Sequence, residues 1–443
     1  MIPADNAISP RADWVAAWTQ AQALYPADEH GMPLPTWSVR GFADDGAAAW
    51  RQLVRRVPER QGAFSIYAHL PFCKTRCPFC DCHATAMPRG ERTEVEKYLL
   101  RFRREIEQWH ELGALAQRPV TTIHLGGGTP HSLLPDEFEQ VVQALAANFA
   151  ADQQTEWAIE TNCRCLDDEH AGQLLQLGFT RIHVGAQTLR PRLRALLGRR
   201  DPPETALVRI QAARDRGWTV SVDMLYGLPE QTTADLLADL RLLAAAGVHG
   251  VSLYRLNHGK YNHRFMERQG LATRGPERLF ADYLMFMAAA ELLASLGYVK
   301  NHFTHFARPP DQNLYARHAV RGEDLVALGA TADGVCGDYY YRHGDLAAYL
   351  AGSASPPPLQ GGGTFTPAER QARPLITHLM AGQVPNRILD EKGSAFAAKL
   401  AEAGLLRRDV NADAWALTDA GSWFIGECTA AALRLYATPG ESA

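Results

Sequence analysis

The chain has 443 residues, of which 46% are hydrophobic and 21% charged, with a net charge of -4. These values describe an ordinary globular protein with no basic excess, so neither nucleic acid nor an anionic membrane is expected as a partner. The opening residues, MIPADNAISPRADW, carry no basic segment followed by an apolar one, and no later window has the length of a membrane span; a cytoplasmic, unexported protein is expected.

Taken in order, residues 1–62 read as an N-terminal arm of short amphipathic pieces such as Ala47 to Val57. From Phe64, short apolar runs alternate with longer helix-patterned segments. Strands are predicted near 64–70, 120–125, 156–161, 180–185, 218–225 and 249–254. Helices are predicted over Glu91–Glu111, Asp136–Phe149, Thr205–Arg216, Thr233–Ala246 and Pro276–Leu296. Six β-α repeats imply an α/β fold with a parallel sheet curved into a partial (β/α)6 barrel, with its site at the C-terminal strand ends. At period two, Tyr67 with His69, Thr122 with His124, Glu160 with Asn162, His183 with Gln187 and Ser221 with Asp223 share a face. A wide polar cavity is expected, although strand-end fillers held by hydrogen bonds explain any single one equally well. The main domain with its extension is read as 63–351. The stretch GSASPPPLQGGG at 352–363 reads as a linker. Beyond it, 364–443 has the pattern of a winged-helix-like domain, for which a structural or substrate-covering role is favoured over DNA binding.

Four of the eight cysteines fall between Phe64 and Ala84, in FSIYAHLPFCKTRCPFCDCHA: Cys73, Cys77, Cys80 and Cys82. Three thiolates spaced C-x3-C-x2-C suit three irons of a [4Fe-4S] cube and leave the fourth iron open, whereas electron-transfer clusters normally take four cysteines. Zinc and a disulfide pair are the alternatives, and four sulfurs in ten residues fit them poorly. Cys82 is a substrate-side thiol, a spare ligand or a small buried residue.

Gly126-Gly127-Gly128-Thr129-Pro130 follows the second strand, and three residues without Cβ would let a ligand approach the backbone closely. It has neither dinucleotide-fingerprint nor P-loop spacing. Glu160 is placed to accept two ribose hydroxyls, and Arg199 and Asp223 to hold a carboxylate and an amino or hydroxyl group; ion pairs at strand ends are the plainer reading of each.

The cysteine spacing resembles the signature of the radical S-adenosylmethionine (SAM) enzymes. YAHLPFCKTRCPFCDC, GGGTP, IHVGAQTL at 182–189 and DMLYGLPEQT at 223–232 together resemble the oxygen-independent coproporphyrinogen III oxidase family within that class. The resemblance covers Phe64 to about Gly337. It implies Cys73, Cys77 and Cys80 as ligands of a [4Fe-4S] cluster and two SAM molecules. Tyr67, Gly127 and Glu160 would surround the first; Phe79, Gly128, Thr129, Gln187, Arg199 and Asp223 would surround the second. Asn257 and Asp333 fall near two further contact positions. The implied partners are a tetrapyrrole substrate and a reduced flavodoxin- or ferredoxin-type electron donor.

Within the family, Cys82 points to the decarboxylase, and it is the candidate catalytic residue. The short passage from HFARP at 305–309 to Asn313-Leu314-Tyr315, together with LITHLMAGQVPNRILD, instead looks like the class C methyltransferases that methylate and open heme. That branch is the favoured expectation; oxidative decarboxylation of coproporphyrinogen III, a heme chaperone and a class C methyltransferase on another substrate are the alternatives. His302, His305, His318, His343 and Tyr339 to Tyr341 are candidate heme ligands, and Arg308, Arg317 and Arg342 candidate propionate contacts; each is equally a loop or surface residue.

Overall fold

The computed structural model describes residues 10–26, 41–87, 92–271, 275–352 and 355–437. Strands β1 (Phe64–Leu70), β2 (Val120–Gly127), β3 (Glu156–Asn162), β4 (Arg181–Gln187), β5 (Thr219–Tyr226) and β6 (Gly250–Arg255) lie within two residues of expectation. They pair in parallel in chain order. Beyond β6, β7 (His305–Ala307) runs antiparallel to it. A further strand, β8 (Asp324–Leu328), joins parallel on the outer side of β1 and makes seven parallel strands. β8 and β6 do not pair, so the barrel stays partial.

Outward residues such as Ile66, Ile123, Ile159, Val184, Val222 and Leu253 are fully buried. They pack beneath helices α1 to α5, which are Thr93–Glu111, Pro135–Asn148, Asp168–Gln176, Pro203–Asp215 and Thr233–Ala245. Local chemistry sets their ends. Thr232 Oγ1 accepts from Asp235 N at 3.1 Å while the Asp235 carboxylate accepts from Thr232 N at 2.9 Å, a capping box that starts α5.

The sequence stretch 326–338 resolves into the end of β8, then β9 (Asp333–Cys336), which forms an antiparallel ladder with β10 (Tyr339–His343). The stretch read as a linker also differs from expectation. Residues 353–354 lie outside the described ones, but Leu359–Thr364 forms β11 beside β10. The glycines there serve packing: a Cβ at Gly362 would lie 2.7 Å from Tyr339 Oη, and one at Gly363 2.9 Å from Tyr340 Oη.

The C-terminal unit has helix, strand, helix, two strands and two helices, with a three-stranded antiparallel sheet (383–385, 414–417, 406–409). The arm binds it to the barrel side: on the helix Ala12–Leu24, Trp18 meets Phe280, Tyr283, Trp423 and Phe424 at ring-centroid distances of 5.0–6.5 Å.

The inner face of the barrel is polar, as expected, but its floor is filled. Arg181, 1% exposed, meets Asp311 at 2.5 Å, Ser221 Oγ at 2.7 Å and His183 Nε2 at 2.7 Å. Asp311 also meets His305 Nε2 at 2.9 Å, and its carboxyl lies far below the usual range: burial opposes the charge, but His305 and Arg181 outweigh it. Removing one partner of a buried ion pair leaves the other charge uncompensated. Asp311→Ala should therefore cost about 3–5 kcal/mol, read as a fall in the urea midpoint. Asp311→Ala with Arg181→Met should recover part of that loss.

Candidate active site

β1 delivers the chain through Pro71 into the cysteine loop, and the loop is organised around one of its own side chains. Arg76 donates to the carbonyls of Cys80 (3.2 Å), Cys82 (3.1 Å) and Ala84. Cys80 N also donates to Cys77 O at 3.1 Å. All four thiols are free; Cys73, Cys77 and Cys80 are half-buried and Cys82 is exposed. Cys73 Sγ lies 3.5 Å from Thr129 Oγ1, which links the loop to the glycine turn. The neighbouring Cys82 is the main influence that pulls Cys80 down to about 6. Burial pushes Cys73 up to about 11.

The donor set fits an iron-sulfur cube better than a single zinc. Among the described residues no three His, Cys, Asp or Glu side chains converge as ligands of one ion would. A cube offers each thiolate its own iron, so convergence is not required of it.

The glycine turn serves the protein more than was expected. A Cβ at Gly126 would lie 2.6 Å from the Glu160 carboxylate, one at Gly127 2.5 Å from the His69 ring, and one at Gly128 2.6 Å from Phe72 O. Gly127 also has φ 104°, a region open to glycine. Its N–H donates to Glu160 Oε2 at 3.1 Å, and Gly128 N donates to Leu70 O at 2.9 Å. The three glycines thus bring the cysteine loop, His69 and Glu160 against one turn.

Glu160 lies two residues before the C-terminal end of β3, its side chain 39% exposed, with Oε1 3.0 Å from His124 Nε2. Burial opposes its charge, yet the bonds from His124 and Gly127 prevail and hold its carboxyl below the ordinary value. Asp223 behaves oppositely: burial first, then the Glu160 charge, push it up to about 7. On β1, His69 Nε2 donates to His83 O at 3.0 Å, so Nδ1 is free to accept from Tyr67 Oη at 3.1 Å. Gln187 follows a bulge in β4 with φ 68°. The Arg199 guanidinium sits 5.8 Å from the Phe79 ring centroid, and its buried Nε has no partner among the described residues. A partly buried cation with a spare donor suits a ligand carboxylate.

Two predicted sets fare differently. Asp333 is tied to Arg342, and Arg255 Nε donates to Asn257 Oδ1 at 2.9 Å. Most of the tail candidates are structural. His343 is buried on Glu105 at 2.7 Å, His305 belongs to the floor network, Tyr339 to Tyr341 are fully buried, and Arg308 donates to Val248 O at 3.0 Å. His318 Nδ1 lies 2.5 Å from Tyr315 O, and burial lowers His302 to about 3.

Sequence reasoning named Tyr315 within the tail motif but not as a site residue. Its ring stacks on His124 at 4.4 Å and on Tyr67 at 5.4 Å, inside the barrel and near Glu160. No periodicity marks it, because it arrives on a four-residue helix, Leu314–Arg317, too short to carry one.

Residues 67–243 match the Radical SAM superfamily. The Escherichia coli oxygen-independent coproporphyrinogen III oxidase is 28% identical over 316 residues, which are 68% of this chain and 67% of that protein. The heme chaperone HemW of Mycobacterium tuberculosis is 29% identical over 249 residues, 56% of this chain and 63% of that one. The chain thus spans about two thirds of the length of these curated relatives. A solved structure of the Escherichia coli oxidase superposes with a TM-score of 0.73 at 24% identity, over 89% of this chain and 95% of that one. Over residues 67–243 the chain is thus similar to the radical SAM superfamily, with a [4Fe-4S] cluster and SAM as the cofactors. Its curated relatives include oxygen-independent coproporphyrinogen III oxidases and heme chaperones. No helix among the described residues is long and apolar enough to cross a membrane.

Two outcomes are expected. Alanine at Cys73, Cys77 or Cys80 should abolish the cluster absorbance and the bound iron after anaerobic reconstitution, whereas Cys82→Ala should keep both. Asp223, with its folded-state value raised from 3.8 to about 7, loses stability as pH rises from about 4 to 7. Asp223→Asn should therefore melt higher than the wild type at pH 8 and equally at pH 4, by thermal scans of the cluster-free proteins.

Proposed function

We propose that the chain is an enzyme acting on a tetrapyrrole, and that its reaction is the oxidative decarboxylation of coproporphyrinogen III propionates. The observation that carries this reading is Cys82, an exposed thiol beside Cys80 at the mouth of the site, in a chain related to oxidases of that name. Cys73, Cys77 and Cys80 would hold the cluster, which together with SAM would supply reductive radical chemistry able to abstract a hydrogen atom.

In this reading Tyr67, Gly127 and Glu160 hold the first SAM, with Glu160 accepting from its ribose. A second SAM is held by Phe79, Gly128, Thr129, Gln187, Arg199 and Asp223, the spare Arg199 donor meeting its carboxylate and Asp223 its amino group. With its carboxyl near 7, Asp223 supplies or takes a proton close to neutral pH.

A second reading rests on a separate observation. The short course from His305 to Tyr315 carries an aromatic ring onto Tyr67 and His124, and this tail is what resembles the methyltransferases that open heme. There the second SAM would be the methyl donor.

One experiment separates the readings: anaerobic turnover of the reconstituted protein with dithionite and SAM, offering coproporphyrinogen III and heme in turn. Carbon dioxide and vinyl-bearing product with 5′-deoxyadenosine, and no S-adenosylhomocysteine, is the expected result. A methylated, ring-opened product with S-adenosylhomocysteine would replace it with the second reading. Heme held stoichiometrically without substrate-dependent 5′-deoxyadenosine would overturn both in favour of a chaperone.

A further inference from the structure

At the end of the barrel away from the cysteine loop, a cleft of about 690 Å³ opens where three parts of the chain meet. Arg56 closes the helix Gly46–Arg56 of the N-terminal arm, and Arg60 follows just after the turn Val57–Glu59. Asp324 starts β8, and Gly337-Asp338 joins β9 to β10. Arg370 and Arg373 line the cleft from the helix Pro367–Met380 of the C-terminal unit. We propose that this cleft is a second binding site, built for a small organic compound carrying two or more oxyanion groups, phosphate or carboxylate.

The place is separate from the radical chemistry. Asp324 pairs with Phe64 at the start of β1, whereas the cysteine loop departs after Leu70 at its end. Seven residues of strand put the two about 20 Å apart. The cleft therefore stands or falls independently of the reaction proposed above.

Its wall carboxylates are already engaged. Asp324 accepts from Arg60 Nε and Nη2 at 3.0–3.2 Å, from Arg118 Nη2 at 2.9 Å and from Gly337 N at 2.8 Å. Asp338 accepts from Arg56 Nη1 at 2.6 Å, and Arg370 Nη1 stands 3.8 Å from its other oxygen. Arg373 has no carboxylate within ion-pair reach among the described residues. It donates from Nη1 to Gly337 O at 2.7 Å and lies 4.9 Å from the Phe365 ring centroid. Burial disfavours its charge more than Asp324 and Asp338 favour it. Arg56 Nε is likewise buried with no partner among the described residues. Five guanidiniums, of Arg56, Arg60, Arg118, Arg370 and Arg373, thus meet Asp324, Asp338 and, at the exposed mouth, Glu59.

That excess selects the ligand. A guanidinium fork matches the paired oxygens of a phosphate or carboxylate, and a partly buried one without an acid is the stronger site for it. Arg370 and Arg373, three apart, are neighbours on one helix face, and Arg56 meets them from the arm through Asp338, so positive charge comes from two sides. A compound with more than one anionic group bridges them. Phe365 and Pro374 add an apolar wall suited to an organic part, and the volume lies in the range of small-molecule sites. Because arm, barrel and C-terminal unit all contribute, such a ligand would hold the three together.

The test uses the full chain, cluster-free and cluster-loaded. Inorganic tripolyphosphate, ATP and citrate are titrated calorimetrically at low salt into the wild type, into Arg373→Met, and into Arg104→Gln, which removes an exposed arginine of α1 as a control. At least one probe should bind with one-to-one stoichiometry, about tenfold or more weaker in Arg373→Met and unchanged in Arg104→Gln. Added salt should weaken it, saturating probe should raise the wild-type melting temperature, and SAM should not displace it. ATP binding more tightly than tripolyphosphate supports a phosphorylated organic ligand; citrate binding most tightly supports a polycarboxylate. No saturable binding of any probe to the wild type overturns the proposal, and so does equal weakening in both variants or in neither. Displacement by SAM, or affinity that requires the cluster, also overturns it, since the anion would then sit at the cofactor site. Should Arg373→Met fail to fold, Arg370→Gln, at an exposed position, is read in the same assay; unchanged affinity there overturns the proposal.

Discussion

The buried contact between Arg181 and Asp311 is the constraint on which the barrel depends. Seven parallel strands with a polar inner face cannot close on a dry core of Val, Ile and Leu, so polar groups at their N-terminal ends need partners among themselves. Asp311 supplies the countercharge: it takes Arg181, Ser221 and His305 together and joins β4, β5 and β7 at one point. Its position requires Gly250, because a Cβ at that residue would fall on the Asp311 carboxylate. The same carboxylate accepts from Asn313 N at 2.9 Å, and two residues on the chain delivers Tyr315 onto His124 and Tyr67. The floor of the barrel therefore determines what stands beside Glu160.

The open end obeys a different logic, in which backbone without side chains is the organising material. Gly126, Gly127 and Gly128 bring Glu160, His69 and the Pro71–Phe72 backbone within reach of a single turn, each occupying the place of a missing Cβ. Glu160 is held ionised by His124 and a backbone N–H, whereas burial, with the Glu160 charge added to it, pushes Asp223 up to about 7. Two carboxylates on one inner face thus end in different protonation states, a consequence of one being hydrogen-bonded and the other mainly desolvated. A site that must recognise both amino and carboxylate groups of an amino-acid-like cofactor benefits from that asymmetry.

How much of this was legible depended on periodicity. β1 to β6 were readable because apolar outward residues alternate with polar inward ones; the cysteine loop stood out by its spacing, and GGGTP, weak alone, by its place one strand after that loop. The outcome at 352–363 was not readable: Pro, Gly and Ser suggest a linker, but Gly362 and Gly363 are there to clear the Tyr339 and Tyr340 hydroxyls, a tertiary demand with no local trace. Residues 326–338 read as strand-like, but the pairing of β8 was hidden for a related reason. It pairs with β1 from more than 250 residues away, across a chain reversal that follows no β-α repeat. Tail histidines and tyrosines looked like ligand candidates because a sequence does not reveal burial; His343 proves to be held by Glu105 from the helix Thr93–Glu111.

That helix also explains why the tail is rigid enough to matter. Glu105 accepts from His343 at 2.7 Å, from Tyr349 at 2.6 Å and from Gly329 N at 3.2 Å, while Tyr98, two turns earlier, donates to His69 O and accepts from Ala330 N. One helix face therefore joins the end of β1, where the cysteine loop departs, to the turn after β8. Thr331 in that turn reaches within 3.5 Å of His69 Nε2. A displacement of the tail would be felt at His69, and through its Nδ1 at the Tyr67 hydroxyl. The tail is thus coupled, by a short series of hydrogen bonds through Tyr98 and Thr331, to His69 and Tyr67 on β1.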